Sequence, residues 1–337
     1  MASYSNKSVL HNRMKRFGQW IAPEKETRDQ IKKQADEIRN RISKNAEDDG
    51  ITIIKMPYGG SFPSKTGLRR HMRGNMVTEG QDVDIPFVVK KDKETEFEPL
   101  IVRFKKYADK SYPGTIIETT KSSVKLVFEG TKLSYDIVPM FATGQPDRYI
   151  LMRDTGEIIT TSIEKHMDFI KSRTKKTKEI EGVVAFNHMV RFLKWWREHK
   201  EQNSNGLIKI PSFMINILAA KGLMECSIDT TYPQTLANWF SCLAHIVQQK
   251  ETIWFDDYYN TPKPDTTKAW NVLDPVMPDN NIVKLWNGWQ VQELADWLTD
   301  AGEVINRAIV ADMQGRDNDA LLHMQTLFGT IFSSHCD

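Results

Sequence analysis

The stretch DVDIPFVVK, Asp82–Lys90, decides how the first half of this chain folds. Two acids stand two positions apart at the head of a compact, partly β-branched run. In an extended strand, residues two apart project from the same face, so Asp82 and Asp84 can share one cation. A second run, LSYDIVPMF, places Asp136 inside an otherwise apolar strand, where a carboxylate with nothing positive to meet it would be costly. A D-x-D pair taken alone more often marks acids that meet lysine or arginine or face solvent, so its setting has to carry the argument.

Working outward, ITIIKM from Ile51 runs into PYGGSFPSK and predicts strand, turn and helix start, with Gly59 and Gly60 permitting a tight turn. Small residues let the backbone approach a phosphate, Ser61 can donate its hydroxyl, and a following helix would aim its positive end at an anion. Upstream, Ile31, Ala35, Ile38 and Ile42 recur at helical spacing and predict a long helix over 26–46. Downstream, Val124–Phe128 and Leu133–Met140, split by Glu129-Gly130, predict a hairpin. Beyond Met140 the texture turns helical. Met189, Phe192, Leu193 and Trp196 share one face, and Val291, Leu294, Ala295 and Leu298 repeat the arrangement. The basic run KSRTKKTK, Lys171–Lys178, reads as a solvated linker between the halves.

Composition removes several classes of function. The chain has 337 residues, 40% hydrophobic and 27% charged, which excludes a fibrous or largely disordered protein. Its net charge of +2 is too balanced to hold duplex nucleic acid by bulk charge, so that partner is not indicated. Cys226, Cys242 and Cys336 have no C-x-x-C spacing, which argues against a disulfide framework or structural zinc and points to a reducing cytoplasm. The N-terminus has no apolar h-region, and the longest apolar stretch, near Phe213–Ala220, is too short for a membrane span. The eight histidines form no metal cluster by spacing; His188 reads as structural, and the sequence reveals no partner for His166 or His199. With no nucleophilic triad, G-x-G-x-x-G or Walker A lysine, the chemistry would rest on metals and positioning.

A Gly-Gly-Ser turn after a strand and before a D-x-D strand, with a third acid on a later strand, resembles the nucleotidyltransferase superfamily of DNA polymerase β type. More narrowly, GGSFPSK, DVDIPFVV, LSYDIVPMF, HMVRFLKWWR, PSFMINIL and VLDPVMPDNN occur in the order seen in cyclic GMP-AMP synthase/DncV-like nucleotidyltransferases, or CD-NTases. The last echoes oligoadenylate synthetase. SIEKHMDFIKSRTKK, Ser162–Lys176, resembles the bacterial clade that accompanies HORMA-domain sensors in anti-phage CBASS systems.

The resemblance implies an α+β, bilobal chain: a DNA polymerase β-like catalytic core with its N-terminal helix over 1–165, and a helical domain over 166–337, with the active site in the cleft between them. It implies that a ribose hydroxyl attacks the α-phosphate of a nucleoside triphosphate, ATP foremost, and releases pyrophosphate until a cyclic di- or trinucleotide closes. A cyclic tri-adenylate-type product is expected for this clade. Asp82 and Asp84 match the pair that ligates two Mg²⁺ ions, with Mn²⁺ the alternative, and Asp136 matches the third carboxylate, which helps deprotonate the attacking hydroxyl. Gly60 and Ser61 match a motif at the triphosphate, Lys194 and Ser212 match contacts to its phosphates, and Phe213 matches an aromatic stacked on a base. The implied partners are a HORMA-domain activator and an effector that recognises the product.

The residues themselves leave alternatives open. Phe213 can equally be core packing and Lys194 a snorkelling surface lysine. An acceptor-dependent transferase acting on RNA or protein, and a nucleotide-binding scaffold, are the competing functions; three intact acids argue against the scaffold. Three features depart from the family, the first being that the segment after Ser61 reads SKTG where relatives commonly have KGT. Asp82 follows Ser61 by 21 positions, a longer interval than the resemblance leads one to expect, and the added stretch carries Arg69, Arg70, His71 and Arg73. That loop reads either as a clamp for phosphates or a partner, or as a charged solvent loop. Asn216 stands where relatives often carry an acid.

Overall fold

The computed structural model describes residues 8–73, 76–91, 100–180, 184–204, 208–258 and 269–335. In chain order the first elements are α1 (Val9–Trp20), α2 (Lys25–Asp48), β1 (Ile53–Lys55), β2 (Arg70–Arg73), β3 (Met76–Glu79), β4 (Gln81–Val89) and α3 (Leu100–Ser111). Strands β5 (Ile116–Thr119), β6 (Val124–Phe128), β7 (Leu133–Ala142), β8 (Tyr149–Met152) and β9 (Ile158–Thr161) follow. Helices complete the chain: α4 (Ile163–Ile180), α5 (Phe186–Asn203), α6 (Ser212–Cys226), α7 (Tyr232–Gln248), α8 (Gly288–Met313), α9 (Asp317–Phe328) and α10 (Ile331–Ser334). This is the mixed α+β architecture that the motifs imply, and among the described residues no helix is long and apolar enough to cross a membrane.

The chain divides into two compact units. A sheet unit comprises Pro23–Arg70 and Glu79–Asp168; a helical unit comprises the residues up to Ala22, His71–Thr78 and those from Phe169 onward. The sequence boundary at 165/166 therefore runs through α4. Helix α1, expected with the catalytic core, groups with the helices because it packs there: Phe17 stacks on Phe328 at 5.6 Å and meets Trp195 edge-on at 5.3 Å.

In the sheet unit the strand order is β1-β4-β7-β6-β5, with β8 continuing from β7 and β9 from β8. Strands β4 and β7 run parallel; the other pairs of this sheet are antiparallel. Alternation along the strands divides the two faces. Val83, Ile85, Tyr135 and Ile137 are buried against Ile31, Ala35, Ile38 and Ile42 of α2 and Phe104 and Ala108 of α3. The α2 periodicity read from the sequence is this buried stripe. On the opposite face Val88 and Met140 are covered by Ile163 and Met167 of α4, whereas nearer the strand starts that same face carries Asp82, Asp84 and Asp136.

Two local expectations are corrected. The Lys171–Lys178 run is not a linker: it lies within α4, where Arg173 is buried, donates to Asp257 Oδ1 at 2.8 Å and stacks its guanidinium 3.8 Å from the Phe169 ring centre. The helix start after Ser61 is a set of turns over 60–65. Lys65 adopts a left-handed φ of 57°, Thr66 and Gly67 both donate to Ser61 O, and Ser64 Oγ donates to Gly60 O, so the backbone closes on itself rather than propagating. The stretch before Asp82, read from the sequence as a loop, forms a two-stranded sheet, β2-β3.

Candidate active site

The acids are aligned by strand register. Asp84 is the direct Cα partner of Asp136 across the parallel β4-β7 pair, and Asp82 is the partner of Ser134. Because side chains alternate, all four residues occupy one face. Strand β6 adds Lys125 opposite Asp136. Lys125 Nζ lies 2.9 Å from Asp82 Oδ1, the Ser134 hydroxyl also donates to Asp82, and Ser123 Oγ donates to Asp136 Oδ1 at 2.7 Å.

Burial pushes the Asp136 carboxyl above the usual carboxylate range; the nearby Asp82 charge adds to this, while the Ser123 hydrogen bond and the Lys125 charge pull the other way. Among the described residues no three His, Cys, Asp or Glu side chains converge as metal ligands, since Asp82 turns to Lys125 and Ser134 and Asp136 turns to Ser123. The donor chemistry nevertheless fits a hard cation: three carboxylates from adjacent strands share one face, and oxygen-only ligand sets suit magnesium-like ions.

The glycine turn is packed directly on this face. Arg39 of α2 stacks 3.7 Å from the Tyr58 ring centre and donates to Pro57 O at 3.3 Å, fixing the segment that enters the turn. Gly59 N then donates to Asp84 O at 3.3 Å. Gly60 has φ 70°, and a Cβ built there would fall 1.6 Å from Asp84 Oδ2. Glycine is required at 60 both for its backbone conformation and for this close approach. Ser61 anchors the far side of the turn through its carbonyl. The structure thus brings Gly60 and the three acids together.

The remaining candidates lie in the helical unit. Lys194 is on α5 and is 5% exposed, so it is a buried lysine and not a snorkelling one. Ser212 is the exposed first residue of α6, and its Oγ accepts from Arg197 Nη1 at 2.8 Å; Phe213 beside it is half-buried. His188 is hydrogen-bonded to Tyr232 OH at 2.7 Å, in keeping with a structural role, and His199 Nδ1–H donates to Leu327 O at 3.1 Å. Cys226 and Cys242 are free thiols; Cys336 lies outside the described residues. Of the basic loop, Arg69 pairs with Glu24 and His71 with Glu198, so these two meet carboxylates of the chain itself; the Arg73 side chain is outside the described set.

Sequence reading passed over Ser123, Lys125 and Arg39. The signal for the first two was present: a hairpin centred on Gly130-Thr131 pairs residue 125 with 136, and Ser123 follows on the same face by period two. Arg39 carried no such signal, because its contact joins a helix to a turn 18 positions away.

Residues 9–173 match the family model described as the Second Messenger Oligonucleotide or Dinucleotide Synthetase domain, SMODS. The cyclic AMP-AMP-AMP synthase of Escherichia coli (strain MS 115-1) is 28% identical over 97% of this chain and 99% of its own length. The chain as a whole is similar to cGAS/DncV-like nucleotidyltransferases. Solved structures of such nucleotidyltransferases match it almost end to end. E. coli MS115-1 CdnC with ATP has a TM-score of 0.78 at 27% identity, covering 96% of this chain and 98% of that one. The CdnC:HORMA-deltaN complex gives 0.77 at 27%, covering 97% and 99%. Vibrio cholerae DncV, a cyclic AMP-GMP synthase solved with a linear intermediate, gives 0.70 at 14%, covering 98% and 96%, which shows the shared fold. Enzymes of this family are generally metal-dependent.

Proposed function

We propose that this chain condenses nucleoside triphosphates, ATP foremost, into a cyclic di- or trinucleotide second messenger with release of pyrophosphate, in anti-phage defence in a reducing cytoplasm. The observation that carries this reading is the register that sets Asp84 beside Asp136, with Gly60 packed on the Asp84 carboxylate. An end-to-end relative that is a cyclic AMP-AMP-AMP synthase favours a cyclic tri-adenylate product, and a relative solved with a HORMA protein favours a HORMA-domain activator. The catalytic core corresponds to Pro23–Arg70 and Glu79–Asp168, and the helical domain to α1, His71–Thr78 and the residues from Phe169 onward.

Asp82, Asp84 and Asp136 would hold the divalent cation, two Mg²⁺ ions with Mn²⁺ the alternative, which when bound supplies Lewis acidity and neutralises charge at the triphosphate. The rest is done by the chain. Asp136, whose carboxylate shares one face with Asp82 and Asp84, is suited in its ionised form to take the proton of the attacking ribose hydroxyl. Ser134 and Lys125 hold Asp82 in orientation, and a cation competes with Lys125 for that carboxylate. The Gly60-Ser61 turn receives the triphosphate through backbone and hydroxyl. Lys194 and Ser212 contact phosphates, and Phe213 offers a ring face to a base.

The test is to incubate purified protein with the four ribonucleoside triphosphates and Mg²⁺ or Mn²⁺, without template or acceptor and with and without a cognate HORMA-domain protein, then treat with phosphatase and analyse by mass spectrometry. A phosphatase-resistant oligonucleotide is the expected product, and its mass gives ring size and bases. Product formation only after adding an RNA or protein acceptor would replace cyclisation by acceptor-dependent transfer.

A further inference from the structure

The β2-β3 pair ends a continuous polar chain that leads to Ser212. His71 Nδ1–H donates to Glu198 Oε1 at 2.8 Å, and Met72 N donates to Glu198 Oε2 at 3.1 Å, so the strand pair engages both oxygens of one carboxylate. Glu198 Oε1 lies 3.5 Å from Arg197 Nη2. Arg197 Nη1 in turn donates to Ser212 Oγ at 2.8 Å and to Ile210 O at 3.1 Å. Glu201, one turn further along α5, accepts from Ile210 N at 2.7 Å, so the approach to α6 is held through both its N–H and its carbonyl. The Arg197 and Glu198 side chains are 12% and 13% exposed, whereas Ser212 is exposed. Two charged side chains are thus kept out of water to end on one exposed hydroxyl.

We propose that Arg197 is a positioning residue for Ser212, and that Glu198, clamped by the strand pair through His71 and Met72, sets Arg197. This rests on the reading of Ser212 as a contact to the outer phosphates of the nucleotide. The chemistry is that of a polarised hydroxyl. A hydroxyl that accepts from a guanidinium points its own proton away from it and becomes a stronger donor, as an anionic phosphate oxygen requires. Arginine suits this better than lysine because its planar fork serves Ser212 and Ile210 from one fixed nitrogen while the second terminal nitrogen faces Glu198. The strand pair thereby belongs to the nucleotide-binding apparatus and is not a solvent loop.

The experiment compares the full-length wild-type protein with Ser212→Ala, Arg197→Lys, Glu198→Gln and the double variant Arg197→Lys/Ser212→Ala. It measures kcat and KM for ATP, and binding of ATP and of AMP by calorimetry, after melting curves establish folding. Ser212→Ala and Arg197→Lys are each expected to raise KM and weaken ATP binding about tenfold, with kcat little changed and AMP binding unaffected, since the hydrogen bond at stake is charge-assisted. The double variant should be no worse than the worse single variant, because both changes remove one hydroxyl contact. Glu198→Gln, nearly isosteric, should show the same ATP-selective loss to a smaller degree, and it carries the test should Arg197→Lys fold poorly. Loss in Ser212→Ala with Arg197→Lys or Glu198→Gln at wild-type affinity, or additive losses, would overturn the positioning role alone. Unchanged ATP affinity in Ser212→Ala would overturn the reading of Ser212 and the proposal with it.

Discussion

Asp136 in the sheet unit and Arg173 in the helical unit are both buried charges, and the chain treats them differently. Arg173 has its opposite charge in contact, Asp257 at 2.8 Å, and an aromatic face beneath it. Burial pushes its pKa down and Asp257 draws it back. Asp136 is met by a neutral hydroxyl, Ser123, while Lys125, the cation across from it, is in contact with Asp82. The first arrangement is closed. The second sets three carboxylates on one face beside a glycine turn, a donor set that suits the proposed divalent ion.

The strongest attempt to break this contrast is Asp136→Asn. Product formation should fall by about 10³-fold or more, while the melting temperature holds or rises because a buried charge has gone. Retained turnover would make Asp136 as structural as Arg173. Gly60→Ala comes next. Its Cβ would collide with Asp84 Oδ2 at a positive φ, so synthesis should drop by about 10²-fold and urea unfolding should show a loss of about 1–3 kcal/mol. Wild-type behaviour would disprove the close packing of turn on acid.

In the helical unit, Asp257→Ala should do the reverse of Asp136→Asn. It strands a buried guanidinium, and since Asp257 is itself 47% exposed, the cost should be about 2 kcal/mol, below that of a fully buried pair. Synthesis below the melting temperature should persist; loss of synthesis in a folded variant would show that the closed pair also serves the reaction.

The smallest effect is in pH dependence and has opposite signs in the two units. Burial lowers the pKa of His199 from 6.5, so the unfolded chain binds that proton more readily, and the stability contributed by neutral His199 is lost as pH falls below 6.5 through the lowered value. Asp136 is raised, so its contribution grows as pH falls toward the ordinary 3.8. Hydrogen exchange followed from pH 7 down to pH 4 should show His199→Gln flattening the acid loss in the helices, and Asp136→Asn removing the gain in the sheet. The same slope in wild type and variant would remove either assignment.

Much of the sheet unit was legible because its signals are local or short in range. The α2 stripe, the β6-β7 hairpin and the same-face placement of Asp82 and Asp84 follow from periods of 3.6 and 2. The errors fell where nearby residues favour one conformation and distant packing selects another. A lysine-rich stretch looks solvated until Phe169 and Asp257 enclose its arginine, and a Gly-Ser-Phe-Pro segment looks like a helix start until Ser64 and Lys65 turn it back.

The sequence by itself determined the chemistry: which carboxylates alternate onto one face, that a glycine turn precedes them, and that a helical half follows, all consequences of the strand and helix repeats. The tertiary structure alone decided that β4 lies parallel to β7 so that Asp84 faces Asp136, that Gly60 closes on Asp84, that α1 joins the helices, and that a basic loop ends on Glu198 and, through Arg197, on Ser212. Those pairings join residues far apart in the chain, and their selection rests on burying α2, α3 and the helical cores, a sum over many side chains that no short motif contains.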